Sequence, residues 1–77
     1  MTVDAADHTL SMEIAQARDA VMGLVEQHPT EWWTARELKV RTRNGWSSGV
    51  MGLALQELLE EGFLERRPTD LRIRGAK

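Results

Sequence analysis

Ser47-Ser48-Gly49-Val50-Met51-Gly52-Leu53-Ala54-Leu55-Gln56-Glu57-Leu58-Leu59-Glu60-Glu61-Gly62-Phe63-Leu64-Glu65-Arg66-Arg67 is the stretch that decides the fold. Either serine at its head can cap a helix, because a hydroxyl oxygen accepts one of the backbone N–H groups that a first turn leaves open. Trp46, just before the cap, is placed to staple onto Met51. At about 100° per residue, Val50, Met51, Ala54, Leu55 and Leu58 share one face. Gly49, Gly52, Leu53, Gln56 and Glu60 occupy the opposite face. Gly62 is expected at the left-handed position that ends the helix. Beyond it, residues 63–67 and 71–74 read as short strands. Arg67-Pro68-Thr69-Asp70 forms the turn between them, with proline's fixed φ at the second turn position.

Upstream, Thr34-Ala35-Arg36-Glu37-Leu38 spells a capping box: the Thr34 hydroxyl accepts from the Glu37 amide, and the Glu37 carboxylate reaches back to the Thr34 amide. Trp33 can staple onto Leu38. A short helix is therefore expected over residues 35–42, carrying Arg36, Lys39, Arg41 and Arg43 at or beyond its polar side, until Asn44-Gly45 breaks it. Glu31-Trp32-Trp33 is too short for a helix and reads as a strand, with one indole in the core and the other partly exposed. Further back, Leu10, Ile14, Ala17, Val21 and Leu24 recur at helical spacing, with Met22 and Val25 beside them. Thr9 or Ser11 can cap this helix and His28-Pro29 ends it. Residues 1–8 are read as a tail and residues 9–75 as one domain.

The 77 residues leave room for one small domain, and 42% hydrophobic with 29% charged is a globular balance. With a core this thin, Trp32, Trp33 and Trp46 matter to stability. The net charge is −2, but residues 1–35 carry −5 and residues 36–77 carry +3. An asymmetry of this kind points to an anionic partner, with a mixed solvated surface as the plainer reading.

The order helix, short strand, helix, helix, hairpin, carried by residues 33–38 and by the run from Ser47 to Arg67, resembles the winged helix-turn-helix superfamily of small bacterial and phage-type regulators. The resemblance covers about residues 10–74. It implies a mainly α fold with a small β-hairpin, and binding to double-stranded DNA with the third helix in the major groove and basic wing side chains on phosphates. Carried over by position, Ser47 and Ser48 would touch phosphate or the first base edge. Gln56 would face the groove, where a glutamine pairs bidentately with adenine. Arg66, Arg67, Arg72 and Arg74 flank the wing turn, and Arg41, Arg43 and Asn44 lie on the approach to the helix. The wing arginines occupy alternate strand positions, so all four cannot face one way.

The same sequence supports a second reading, a winged-helix module that binds protein. Trp32, Gly49, Gly52 and Leu53 would form its interface, and it would dock on a larger nucleic-acid machine as an inhibitor or adaptor. The wide apolar flank of the first helix could also seat a second copy of the chain as a homodimer. The size suits accessory regulators of phages and other mobile elements. Enzymatic readings lack parts. His8 and His28 have no metal-site spacing, no nucleophile elbow occurs, and Gly49-x-x-Gly52 lacks the strand and lysine of a phosphate-binding loop. Without cysteine there is no disulfide or thiolate site. No cofactor or metal is expected. No apolar run approaches the roughly 20 residues of a membrane span, and the acidic start lacks a signal peptide's basic region, so a cytoplasmic location is expected.

Overall fold

Two elements meet at Gly62, and the backbone there explains how the chain turns from helix to hairpin. The computed structural model describes residues 5–42 and 46–76. Helix α1 spans Ala5–Gln27, α2 Ala35–Thr42 and α3 Ser48–Glu60, and strands β1 Leu64–Arg66 and β2 Ile73–Gly75 pair antiparallel. At the end of α3, the Gly62 amide donates to the Leu59 carbonyl (3.2 Å) and the Phe63 amide to the Leu58 carbonyl (3.0 Å), with Gly62 at φ +83°. This is a Schellman ending, which needs a left-handed residue and therefore glycine.

The core follows the face expected of α3. Val50, Met51, Ala54, Leu55 and Leu58 are all buried, against Ala17, Val21 and Val25 of α1, Leu38 of α2, and Trp33, Trp46, Leu64 and Ile73. The capping box forms as spelled: Thr34 N donates to Glu37 Oε1 at 2.9 Å, and Glu37 N to Thr34 Oγ1 at 3.1 Å. Of the two candidate serines, Ser47 is the cap of α3, its hydroxyl accepting from Val50 N at 3.2 Å. Arg18 ties α1 to the far end of α3 through Glu57 (2.7 Å) and Glu61 (2.5 Å).

Four expectations need correction. First, α1 already runs from Ala5, inside the segment read as a tail, so Thr9 and Ser11 lie within the helix rather than at its cap. Second, the buried line of α1 is Ala17, Val21 and Val25, while Leu24 is only half-buried and Leu10 is exposed. At 1.5 Å per residue α1 is about 35 Å long and α3 about 20 Å, so α3 cannot cover the whole stripe. Third, the strand expected at residues 31–33 is reduced to one antiparallel bridge, Trp33 to Ile73, with both hydrogen bonds at 2.7 Å. Thr34 is already committed to capping α2, which leaves Trp33 alone to pair. Two strands and a bridge stand where three strands were expected. Fourth, the hairpin turn is one residue longer: Leu71 N donates to Arg67 O at 2.7 Å, and Leu71 takes φ +59°. The second strand therefore starts at Ile73 instead of Leu71.

Neighbouring positions on α2 separate packing from surface. Leu38 is fully buried and Val40 is 58% exposed. Leu38→Ala is expected to destabilise the fold by about 2–5 kcal/mol in urea unfolding, and Val40→Ala to stay within about 0.5 kcal/mol.

Candidate nucleic-acid interface

The outward face of α3 is unusually bare. Ser48, Gly49, Gly52, Leu53, Gln56 and Glu60 are exposed along it. A methyl group built at Gly52 would meet nothing within 4 Å, and one at Gly49 would meet only Ser47 Oγ at 3.8 Å. A glycine inside a helix costs roughly 0.5–1 kcal/mol relative to alanine. Packing among the described residues therefore does not account for these two glycines. They leave backbone open to close approach from outside.

Alongside this face runs the basic edge of α2. Arg36, Lys39, Ser48 and Gly52 line a shallow groove of about 330 Å³ between α2 and α3. Lys39 Nζ donates to Ser48 Oγ at 3.2 Å, so a cation and a hydroxyl already sit together at the start of α3. Arg41 stacks over the buried Trp33 indole, 5.5 Å from its centroid, and stays exposed. Lys39 and Arg36 were legible as basic residues on α2, but their place beside Ser48 depends on how α2 packs against α3. Arg43 and Asn44 lie outside the described residues.

The hairpin register sorts its four arginines. Glu65 faces Arg74, Arg66 faces Ile73, and the Arg67 amide donates to the Arg72 carbonyl. Side chains alternate along a strand, so Glu65, Arg67, Arg72 and Arg74 share the outer face, and Arg66 falls on the side of Leu64 and Ile73. The outer face is a lattice of compensated charge. Arg67 holds Asp70 through two hydrogen bonds of 3.0 and 2.7 Å. Arg72 lies 3.4 Å from Asp70 and 3.7 Å from Glu37 of α2, and Arg74 lies 3.3 Å from Glu65. Trp32 sits against this lattice, its ring centroid 4.7 Å from the Arg67 guanidinium and 4.3 Å from that of Arg74.

Three of the four hairpin arginines thus have carboxylate partners. Arg66 is exposed and has no ion-pair partner among the described residues. Ser48, Gly49, Gly52, Leu53 and Gln56 come together on α3, beside Lys39. Ser47 is on the same helix end but its oxygen is spent on the cap. Trp32 belongs to the outer face of the hairpin instead of the α3 face. Asp70, Glu37 and Glu65 enter the picture only through the hairpin register and the longer turn. Among the described residues, no group of three His, Asp or Glu side chains is placed to hold a metal ion, and no helix is long and apolar enough to cross a membrane.

The Arg67 guanidinium, hydrogen-bonded to Asp70, pulls that carboxyl from its ordinary 3.8 down to about 2, helped by the Arg72 amide. A carboxyl lowered on folding stabilises the fold above its unfolded value. That contribution fades as pH falls from about 4 through 2. An NMR titration should therefore place the Asp70 carboxyl midpoint near 2. In Asp70→Asn the acid side of the stability profile should be flatter. Comparison with models of protein families, with curated proteins and with solved structures finds no match to this chain.

Proposed function

We propose that the chain is a winged helix-turn-helix DNA-binding protein of the small-regulator kind. The observation that carries this reading is the open face of α3, where Gly49 and Gly52 have no neighbour among the described residues that requires them, lying directly beside Lys39 and Ser48. On this reading α3 enters the major groove, with Gln56 and Leu53 toward base edges and the bare glycine backbone allowing close approach. Lys39, Arg36 and Arg41 lie toward phosphates on one side and Arg66 on the other. The Trp33–Ile73 bridge stands where the short first strand of such a domain would be, which supports the topology. Leu10 and Met12, exposed at the start of α1, are the surface through which a second copy would join.

The wing arginines change role in this account. Arg67, Arg72 and Arg74 are engaged with Asp70, Glu37 and Glu65, so they shape the wing before they meet any phosphate. Exposed pairs of this kind are each worth about 0–1 kcal/mol, so a phosphate could displace the acids at small cost. The same compensation favours the second reading, a protein-binding module, because it leaves the wing less basic than its four arginines suggest. Leu53, 43% exposed, would then anchor the partner.

Two substitutions separate the readings. Lys39→Ala and Arg66→Ala should each weaken binding to mixed-sequence duplex DNA on every sequence tested. Each should also lower the salt slope by about 1 between roughly 50 and 200 mM salt. Wild-type protein that fails to bind at the lower salt contradicts the DNA reading. Gly52→Ala gives an independent check. It should raise stability by about 0.5–1 kcal/mol in urea while weakening DNA binding, because the added methyl stands where the partner must approach.

A further inference from the structure

The end of α3 away from Ser48 carries a second surface of opposite character. A groove of about 440 Å³ opens between the C-terminal half of α1, the α3–β1 turn and the end of β2. Met22, Val25, Pro29 and Phe63 give it an apolar floor. Phe63 is 51% exposed there, directly after the left-handed Gly62 that ends α3. The groove continues along α1 into a second depression of about 300 Å³, which shares Met22, Glu26 and Phe63 and adds Asp19.

Its rim is acidic. Asp19, Glu26 and Glu61 border the two depressions. Among the described residues Arg18 is the cation that lines these depressions, and its guanidinium is already held by Glu57 and Glu61. Asp19 and Glu26, seven residues apart, lie on one side of α1 and are exposed, with no ion-pair partner among the described residues. Two copies meeting through this groove about a two-fold axis would set these carboxylates against each other, which opposes a symmetric self-contact.

We propose that this groove docks a basic segment of a partner protein, an amphipathic stretch that places apolar side chains over Met22 and Phe63 and lysine or arginine against Asp19 and Glu26. The pattern is helix-in-groove recognition, in which apolar anchors supply affinity and flanking charges set orientation. The surface lies at the opposite end of α3 from Ser48 and Lys39, so docking leaves the proposed DNA face free. The inference does not depend on that reading.

The test uses a synthetic peptide of about a dozen residues, with leucines at helical i, i+3, i+4, i+7 spacing and lysine or arginine elsewhere. A control peptide keeps the leucines and carries glutamate at the charged positions. The ¹⁵N-labelled full chain is titrated with each. The basic peptide should give saturable amide shifts centred on Met22, Glu26, Gly62 and Phe63, and should bind several-fold more weakly at high salt. Phe63→Ser and Glu26→Lys should each weaken it about tenfold or more, which is the loss of about 1.4 kcal/mol. Arg66→Ala should leave it unchanged. Glu26 is exposed and unpaired among the described residues, so its substitution reports on docking even if Phe63→Ser lowers stability. Equal binding of the glutamate peptide overturns the proposal. So do shifts confined to α2 and the start of α3, no saturable binding, or peptide-free self-association mapping to Met22 and Phe63.

Discussion

The paired hydrogen bonds between Trp33 and Ile73 are the constraint on which the rest of the structure depends. Ile73 is used three times: it pairs with Arg66 across the hairpin, with Trp33 on its other edge, and it buries its side chain to 1% exposure. A two-stranded hairpin alone is marginal in water. Here it is held by a backbone contact to the residue just before the α2 cap and by Leu64 and Ile73 in the core. Thr34 follows Trp33 directly, so the residue that fixes the hairpin also fixes where α2 begins. The register that results sets Trp32 with Arg67 and Arg74 on the outer face and turns Arg66 away from them.

Charge is organised along the same frame. Asp19 and Glu26 of α1 lie beside the C-terminal end of α3 and stay open to solvent, and Glu57 and Glu61 hold Arg18 there. Arg36, Lys39 and Arg41 lie on α2, the first two beside the start of α3. Between these poles the hairpin arginines are balanced by Asp70, Glu65 and, from α2, Glu37. Such exposed pairs contribute little to stability. They do fix the positions of long side chains that would otherwise move freely. A small, nearly neutral protein can in this way carry a basic and an acidic surface at once.

Much of this was legible in the sequence because it is local. The capping box, the α3 face and the glycine ending each rest on residues within eight positions of one another, and each forms as spelled. What was not legible depends on distance. The short α3 leaves Leu10 uncovered, and neither helix alone predicts that. The Trp33 strand shrinks to a bridge because Thr34 competes for the same backbone. Leu71 takes a left-handed conformation that an exposed leucine does not announce. In the candidate site, Ser48, Gln56 and Arg66 were named from position along the chain. Lys39 beside Ser48 and the carboxylates that occupy Arg67, Arg72 and Arg74 required the packing of α2 and the longer turn.

The most direct test of the central claim is an amide-shift map of the ¹⁵N-labelled protein with a mixed-sequence DNA duplex at about 50 mM salt, where phosphate contacts are strongest. The account predicts shifts running along residues 48–56 and at Lys39 and Arg66, with the Asp19–Glu26 side of α1 unmoved. An unchanged spectrum, or shifts confined to the acidic groove, would contradict it.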